Sequence, residues 1–128
     1  MPACVAVDDR RVLLAVAVGG ALGASARYGV SRLIPTAPDG FPWSTLWINV
    51  SGSFALGLVV VRVMRRELLY RFVATGVLGG YTTFSTFAVE AVVLAKDDHV
   101  LRALAYVAAS VAGGLAAAWA GVTIADRT

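Results

Sequence analysis

Cysteine and histidine are nearly missing from this sequence: one of each in 128 residues, Cys4 and His99. A lone cysteine excludes an intrachain disulfide framework, and so thin a supply of sulfur and imidazole excludes a cysteine/histidine metal cluster. Cys4 falls in the N-terminal stretch and His99 in a short polar loop, both read as solvated bystanders. Charge is scarce too, at 15% of residues, where a soluble domain carries about 25%. The net charge is +3, yet no basic stripe with interleaved aromatics exists to hold a nucleic acid. Nor is there a Gly-x-Ser-x-Gly elbow, a phosphate-binding loop or a metal-ligand pair, so nothing points to an enzyme.

What fills the chain instead is apolar sequence, 59% of it. The charges gather near five places, and between them lie the uncharged runs Val12 to Ala26, Gly40 to Val61, Phe72 to Val89 and Ala103 to Ala125. Three of these reach the length of about 18 residues or more that crosses a hydrocarbon core. The first becomes long enough by continuing past Arg27 to Ile34. The expectation is a single all-α membrane domain over residues 1–128, with spans near 12–34, 41–62, 71–95 and 102–125. Asp8, Asp9 and the glycine-rich continuation of the first run argue against a secretory signal peptide.

Four spans with short loops place both ends of the chain on one side. The first loop, Pro35 to Gly40, holds two prolines and a glycine. The side with the ends and the middle loop holds Arg10, Arg11, Arg62, Arg65, Arg66, Arg71 and Arg127, whereas the other holds Arg27, Arg32, Lys96 and Arg102. This imbalance leans mildly towards cytoplasmic ends. Small residues recur four apart, as in Gly19/Gly23, Ser53/Gly57, Gly76/Gly80 and Ala117/Gly121, a spacing that lets helix backbones approach closely in lipid. Four short helices enclose a polar path poorly, so self-association is expected.

Span three contains Gly79-Gly80-Tyr81-Thr82-Thr83-Phe84-Ser85-Thr86-Phe87. Two glycines, three threonines and a serine make poor helix. The competing reading is a continuous helix whose threonine hydroxyls bond back to the i−4 carbonyl. A break in mid-membrane must be buried in protein or line a watery cavity, and such breaks hold ion and substrate sites in transport proteins. Phe84 and Phe87 share a face if this part is helical. Asn49, with Ser51 and Ser53 nearby, is a polar intrusion into span two and a functional candidate. Tyr106 and Ser110 share a face of span four. The triplet Asn49-Val50-Ser51 matches a glycosylation acceptor but lies inside a span, beyond reach of a transferase.

These residues resemble the CrcB/Fluc family of fluoride channels nearly end to end. Gly20 to Tyr28 is similar to its G-x-x-G-A-x-x-R-Y segment, Thr45 to Phe54 to T-L-x-x-N-x-x-G-S-F, and Gly79 to Phe87 to G-G-x-T-T-F-S-T-F, followed by Glu90. The resemblance implies passive fluoride export through the plasma membrane by two subunits packed antiparallel, a dual-topology dimer with two pores along its interface. It implies a structural sodium ion held by backbone carbonyls of Gly79 and Thr82 from both subunits. It places Phe84, Phe87, Asn49, Ser85, Thr86, Tyr106 and Ser110 along the fluoride path, and Arg27 at the aqueous vestibule. Gly114 stands where some members carry a further hydroxyl. Fluoride is strongly hydrated, so the pore has to replace water with many weak donors, such as amide N–H groups and electropositive ring edges.

Two other classes compete. A small proton-coupled multidrug transporter needs a membrane-embedded carboxylate, and only Glu90, late in span three, is near; packing or an interfacial position suits it better. A non-conducting assembly subunit, such as one half of a heterodimeric channel, would also use tight packing motifs. The chain alone does not say whether its partner is an identical or a related copy.

Overall fold

The computed structural model describes residues 9–37 and 40–127. Cys4, Asp8 and the Pro38-Asp39 part of the first loop lie outside the described residues. All the regular structure among the described residues is helical, and four helical stretches are long and apolar enough to cross a membrane.

The first span is α1, Asp9–Leu33. The second is α2, Trp43–Val63, which starts directly after Pro42, where the ring fixes φ at −76°. The third is composite: α3 (Glu67–Tyr70), a π-helical segment (Arg71–Leu78), α4 (Gly79–Tyr81) and, after an interruption, α5 (Phe84–Lys96). A turn through Asp97 and Asp98 follows, with Asp98 at φ 59°, a left-handed conformation that aspartate tolerates better than most residues. The fourth span is α6, Val100–Asp126.

Glycine decides which helices touch. The π segment packs on α1 so closely that a Cβ on Gly76 would lie 3.0 Å from the Gly19 Cα. A Cβ on Gly23 would collide with the Val77 carbonyl, and one on Gly80 with the Gly20 carbonyl. On the other side of the molecule, Gly57 of α2 meets Ala118 of α6, and Gly121 of α6 meets Phe54. Of the four small-residue pairs read from the sequence, Gly19/Gly23 and Gly76/Gly80 sit at backbone contacts with both members, whereas Ser53/Gly57 and Ala117/Gly121 do so through Gly57 and Gly121 alone. Apolar side chains do not need to be hidden in lipid, and the surface shows it: Leu101, Leu115 and Trp119 of α6 are 84%, 69% and 71% exposed.

Leu94, Ala103 and Tyr106 form a small core between α5 and α6, with Phe41 and Phe87 packed against it. This core fixes the second half of span three against span four. The first half is fixed against α1. The interruption lies between the two.

Candidate functional site: a broken helix and its cleft

The break is narrower than the sequence leads one to expect. Gly79–Tyr81 is still helical, and only Thr82 (φ −73°, ψ 158°) and Thr83 (φ −145°, ψ 118°) are extended before the helix resumes at Phe84. The glycines stay helical because the π turn carries into them: the Gly79 amide bonds to Ala74 O, five residues back. The Thr82 hydroxyl does bond back to Leu78 O at 2.9 Å, as in the continuous-helix reading, but the chain leaves the helix at Thr82 all the same. Thr83 accounts for that. Its hydroxyl accepts from the Thr86 amide at 3.2 Å, the N-cap geometry that starts a new helix.

The broken backbone is then taken up by two side chains from other spans. Asn49 of α2 donates from Nδ2 to Thr83 O at 2.9 Å and accepts at Oδ1 from the Thr83 amide at 2.8 Å. That second bond takes the N–H that would otherwise close the helical turn on Gly79 O, so the Gly79 carbonyl loses its helical donor. Arg27 of α1 donates from Nη1 to Thr82 O at 3.3 Å. Each carbonyl oxygen has two lone pairs, and Thr82 O keeps capacity for a further partner.

A cleft of about 370 Å³ opens beside the break. Of the residues singled out in the sequence, Asn49, Gly79, Thr82, Phe84, Phe87 and Ser110 line it together, joined by Gly52, Ser53 and Thr83. The two phenylalanine rings have centroids 5.9 Å apart at a 47° tilt; Phe87 also leans on Tyr106 at 5.3 Å, whereas Phe84 is 79% exposed. Ser110 Oγ is buried without a hydrogen-bond partner, although the Tyr106 carbonyl lies four residues back on its own helix. An unpaired buried hydroxyl costs about 1–3 kcal/mol and asks for a ligand.

The remaining candidates stand apart from the cleft lining. Ser85 and Thr86 are exposed on the first turn of α5, within 3.4 Å and 3.0 Å of the Thr83 hydroxyl. Tyr106 is fully buried behind Phe87 and donates to Glu90 Oε2 at 2.7 Å, while Thr45 donates to Glu90 Oε1 at 3.0 Å. Three spans thus converge on one carboxylate. Sequence reasoning passed over Thr83 and Thr45 and gave Glu90 only a packing or interfacial role. A threonine directly before a resuming apolar helix is an N-cap signal that was open to reading; the partners of Glu90 had no such signal.

A family model described as "CrcB-like protein, Camphor Resistance (CrcB)" matches residues 14–122. The chain belongs to the CrcB family. Among its relatives, "Fluoride-specific ion channel FluC 2" of Nocardia farcinica is 44% identical over 119 residues, 90% of this chain and 85% of the relative. "Fluoride-specific ion channel FluC" of Paracoccus denitrificans is 44% identical over 117 residues, 90% and 94% of the two chains. "Fluoride-specific ion channel FluC 2" of Geobacillus kaustophilus is 45% identical over 120 residues, 90% and 93%. With four membrane-crossing helices, this CrcB protein is a multi-pass protein of the plasma membrane. Its relatives are channels and not enzymes.

Proposed function

We propose that this CrcB protein is a fluoride-selective channel that lets fluoride leave the cytoplasm passively, and that the working unit is two copies packed antiparallel. The observation that carries the proposal is the identity of 44% to fluoride-specific channels over 90% of the chain. The cleft at the break suits the task. Fluoride loses favourable hydration on entering a low-dielectric path and needs replacement donors that hold it weakly.

In this reading Phe84 and Phe87 turn their electropositive ring edges to the ion. Ser110 offers an unused hydroxyl, and Asn49 fixes the backbone beside the path. Ser85 and Thr86 give exposed hydroxyls at the mouth, Tyr106 backs the Phe87 ring, and Arg27 draws anions towards the break. An exposed Phe84 ring becomes part of a pore wall once a second copy covers it. Four short helices leave the cleft open on one side, and the partner closes it.

The donor set also fits a structural sodium ion. Sodium, a hard cation, takes oxygen ligands, and the break supplies two: Gly79 O, stripped of its helical donor, and Thr82 O, with capacity beyond Arg27. Two antiparallel copies would present four such oxygens. A cation there adds positive potential to an anion path.

Purified protein in liposomes, assayed for fluoride efflux, tests the proposal. Fluoride flux far above chloride flux is the expected result. A folded dimer without flux would assign the chain to a non-conducting partner of a two-chain channel, and pH-driven cation uptake would make it a transporter. The transporter needs a carboxylate free to exchange protons, whereas both Glu90 oxygens already accept a hydroxyl.

A further inference from the structure

At the end of the molecule that carries the middle loop, away from the broken helix, an open groove runs between α1 and the start of span three. Ala15, Leu68, Leu69 and Phe72 line its apolar part, and Arg66 stands at its polar end. Arg11, exposed on α1, lies one helical turn before Ala15 and so on the same face. The groove thus has one arginine in its lining, Arg66, and a second, Arg11, one turn from its Ala15 wall on the same helix face. Its volume, about 620 Å³, exceeds that of the cleft at the break.

We propose that this groove is a binding site for an anionic glycerophospholipid, one acyl chain lying along Leu68, Leu69 and Phe72 and the phosphate between Arg66 and Arg11. Charge complementarity selects this occupant over a zwitterionic lipid. Among the described residues this end of the molecule carries Arg10, Arg11, Arg62, Arg65, Arg66, Arg71 and Arg127 against Asp9, Glu67 and Asp126. Glu67 also lines the groove, but its carboxylate already faces a cation, 3.9 Å from Arg71. Guanidinium groups match phosphate oxygens in pairs, and basic pockets between membrane helices hold acidic headgroups. A soluble anion would use the arginines but leave the trough empty. The trough lies at the start of the third membrane-crossing helix, and its Leu68 and Leu69 are 41% and 40% exposed.

The test is independent of conduction. The intact protein in detergent is mixed with phosphatidylglycerol or phosphatidylcholine of the same acyl chains, and lipid adducts are counted by native mass spectrometry. Phosphatidylglycerol should be retained in preference to phosphatidylcholine. Arg66→Gln or Arg11→Gln should lower its occupancy about 5-fold each, the worth of one arginine at a charged membrane surface. Leu68→Trp, which fills the trough, should lower retention of both lipids. Arg66 and Arg11 are exposed, so these variants keep the fold, and gel filtration verifies it. Equal retention of the two headgroups, or unchanged occupancy in both arginine variants, overturns the proposal. So does displacement of the lipid by millimolar inorganic phosphate, which would make this a site for a free anion. Lipid loss that comes with a change in the number of chains would assign the groove to a second copy instead.

Discussion

Asn49 spends both ends of its amide on a single residue, Thr83, donating to its carbonyl at 2.9 Å and accepting from its amide at 2.8 Å. The backbone N–H and C=O of a residue torn out of a helix are thereby paired again by one side chain from the neighbouring span. The arrangement explains why an asparagine is placed in a run as apolar as α2. It also couples the backbone of the break to the wall of the cleft, because Asn49 and Thr83 line the same space.

Replacing Asn49 separates these roles. Asn49→Asp keeps an acceptor for the Thr83 amide but sets a carboxylate oxygen against the Thr83 carbonyl and a negative charge beside the anion path. Fluoride flux in liposomes is expected to fall to background while the elution position on gel filtration stays that of the unaltered protein. Asn49→Ala strips both bonds and should destabilise the fold by about 1–3 kcal/mol for each group left unpaired, read as a lower unfolding midpoint. Normal flux in Asn49→Asp would remove this residue from the path and leave it only a packing role.

Phe84 and Phe87 are the second pair to test. Isoleucine keeps their apolar bulk but has no ring edge, so packing survives and the electropositive rim does not. Phe84→Ile and Phe87→Ile are each expected to abolish fluoride flux with assembly intact. Phe87→Ile should also lower stability slightly, because its ring touches Tyr106 at 5.3 Å, whereas Phe84 makes no such contact with the core. Wild-type flux in both variants would place the ion elsewhere.

The glycines of α1 give a contrast within one helix. Gly23→Ala would drive a methyl group into the Val77 carbonyl of the π segment, and backbone there has nowhere to go. Overpacking of this kind costs about 1–3 kcal/mol, and the yield of folded protein should drop sharply. Gly29→Ala meets nothing within 4 Å. It should be neutral or stabilising by about 0.5–1 kcal/mol through helix propensity. Equal behaviour of the two variants in a thermal unfolding series would contradict the close approach of α1 to the π segment.

The crossings and the existence of a break were legible because each has a local cause: uncharged runs of spanning length, and a cluster of residues that compete with helical bonds. The extent of the break was not. Gly79 and Gly80 look like breakers in isolation, yet they are held helical by the Ala74 carbonyl and by the fit of Gly80 on Gly20. Nothing in Arg71–Leu78 distinguishes a π turn from an α turn. The helix widens where α1 presents Gly19 and Gly23, a matter of tertiary contact. The cleft lining was half legible. Asn49, Phe84, Phe87 and Ser110 stood out as polar or aromatic intrusions, whereas Tyr106 proved to lie a layer behind, held by a carboxylate from another span.

That carboxylate supports the last prediction. Glu90 accepts from Thr45, 45 positions away on α2, and from Tyr106, 16 positions away on α6, so one side chain ties three spans together behind the Phe87 ring. Hydrogen bonds to a charged group are worth about 1.5–3 kcal/mol each. Tyr106→Phe and Thr45→Val should each destabilise by an amount of that order. The two donors share one acceptor, so their effects should not add: the double variant strands the carboxylate with no protein donor and should lose about 0.5–3 kcal/mol more than the sum. Adding Glu90→Gln, which removes the charge needing those donors, should recover part of that excess. A double-mutant cycle on unfolding in detergent reads this directly. Strict additivity would mean that Glu90 finds water or another donor, and that the three spans are held at this level by apolar packing alone.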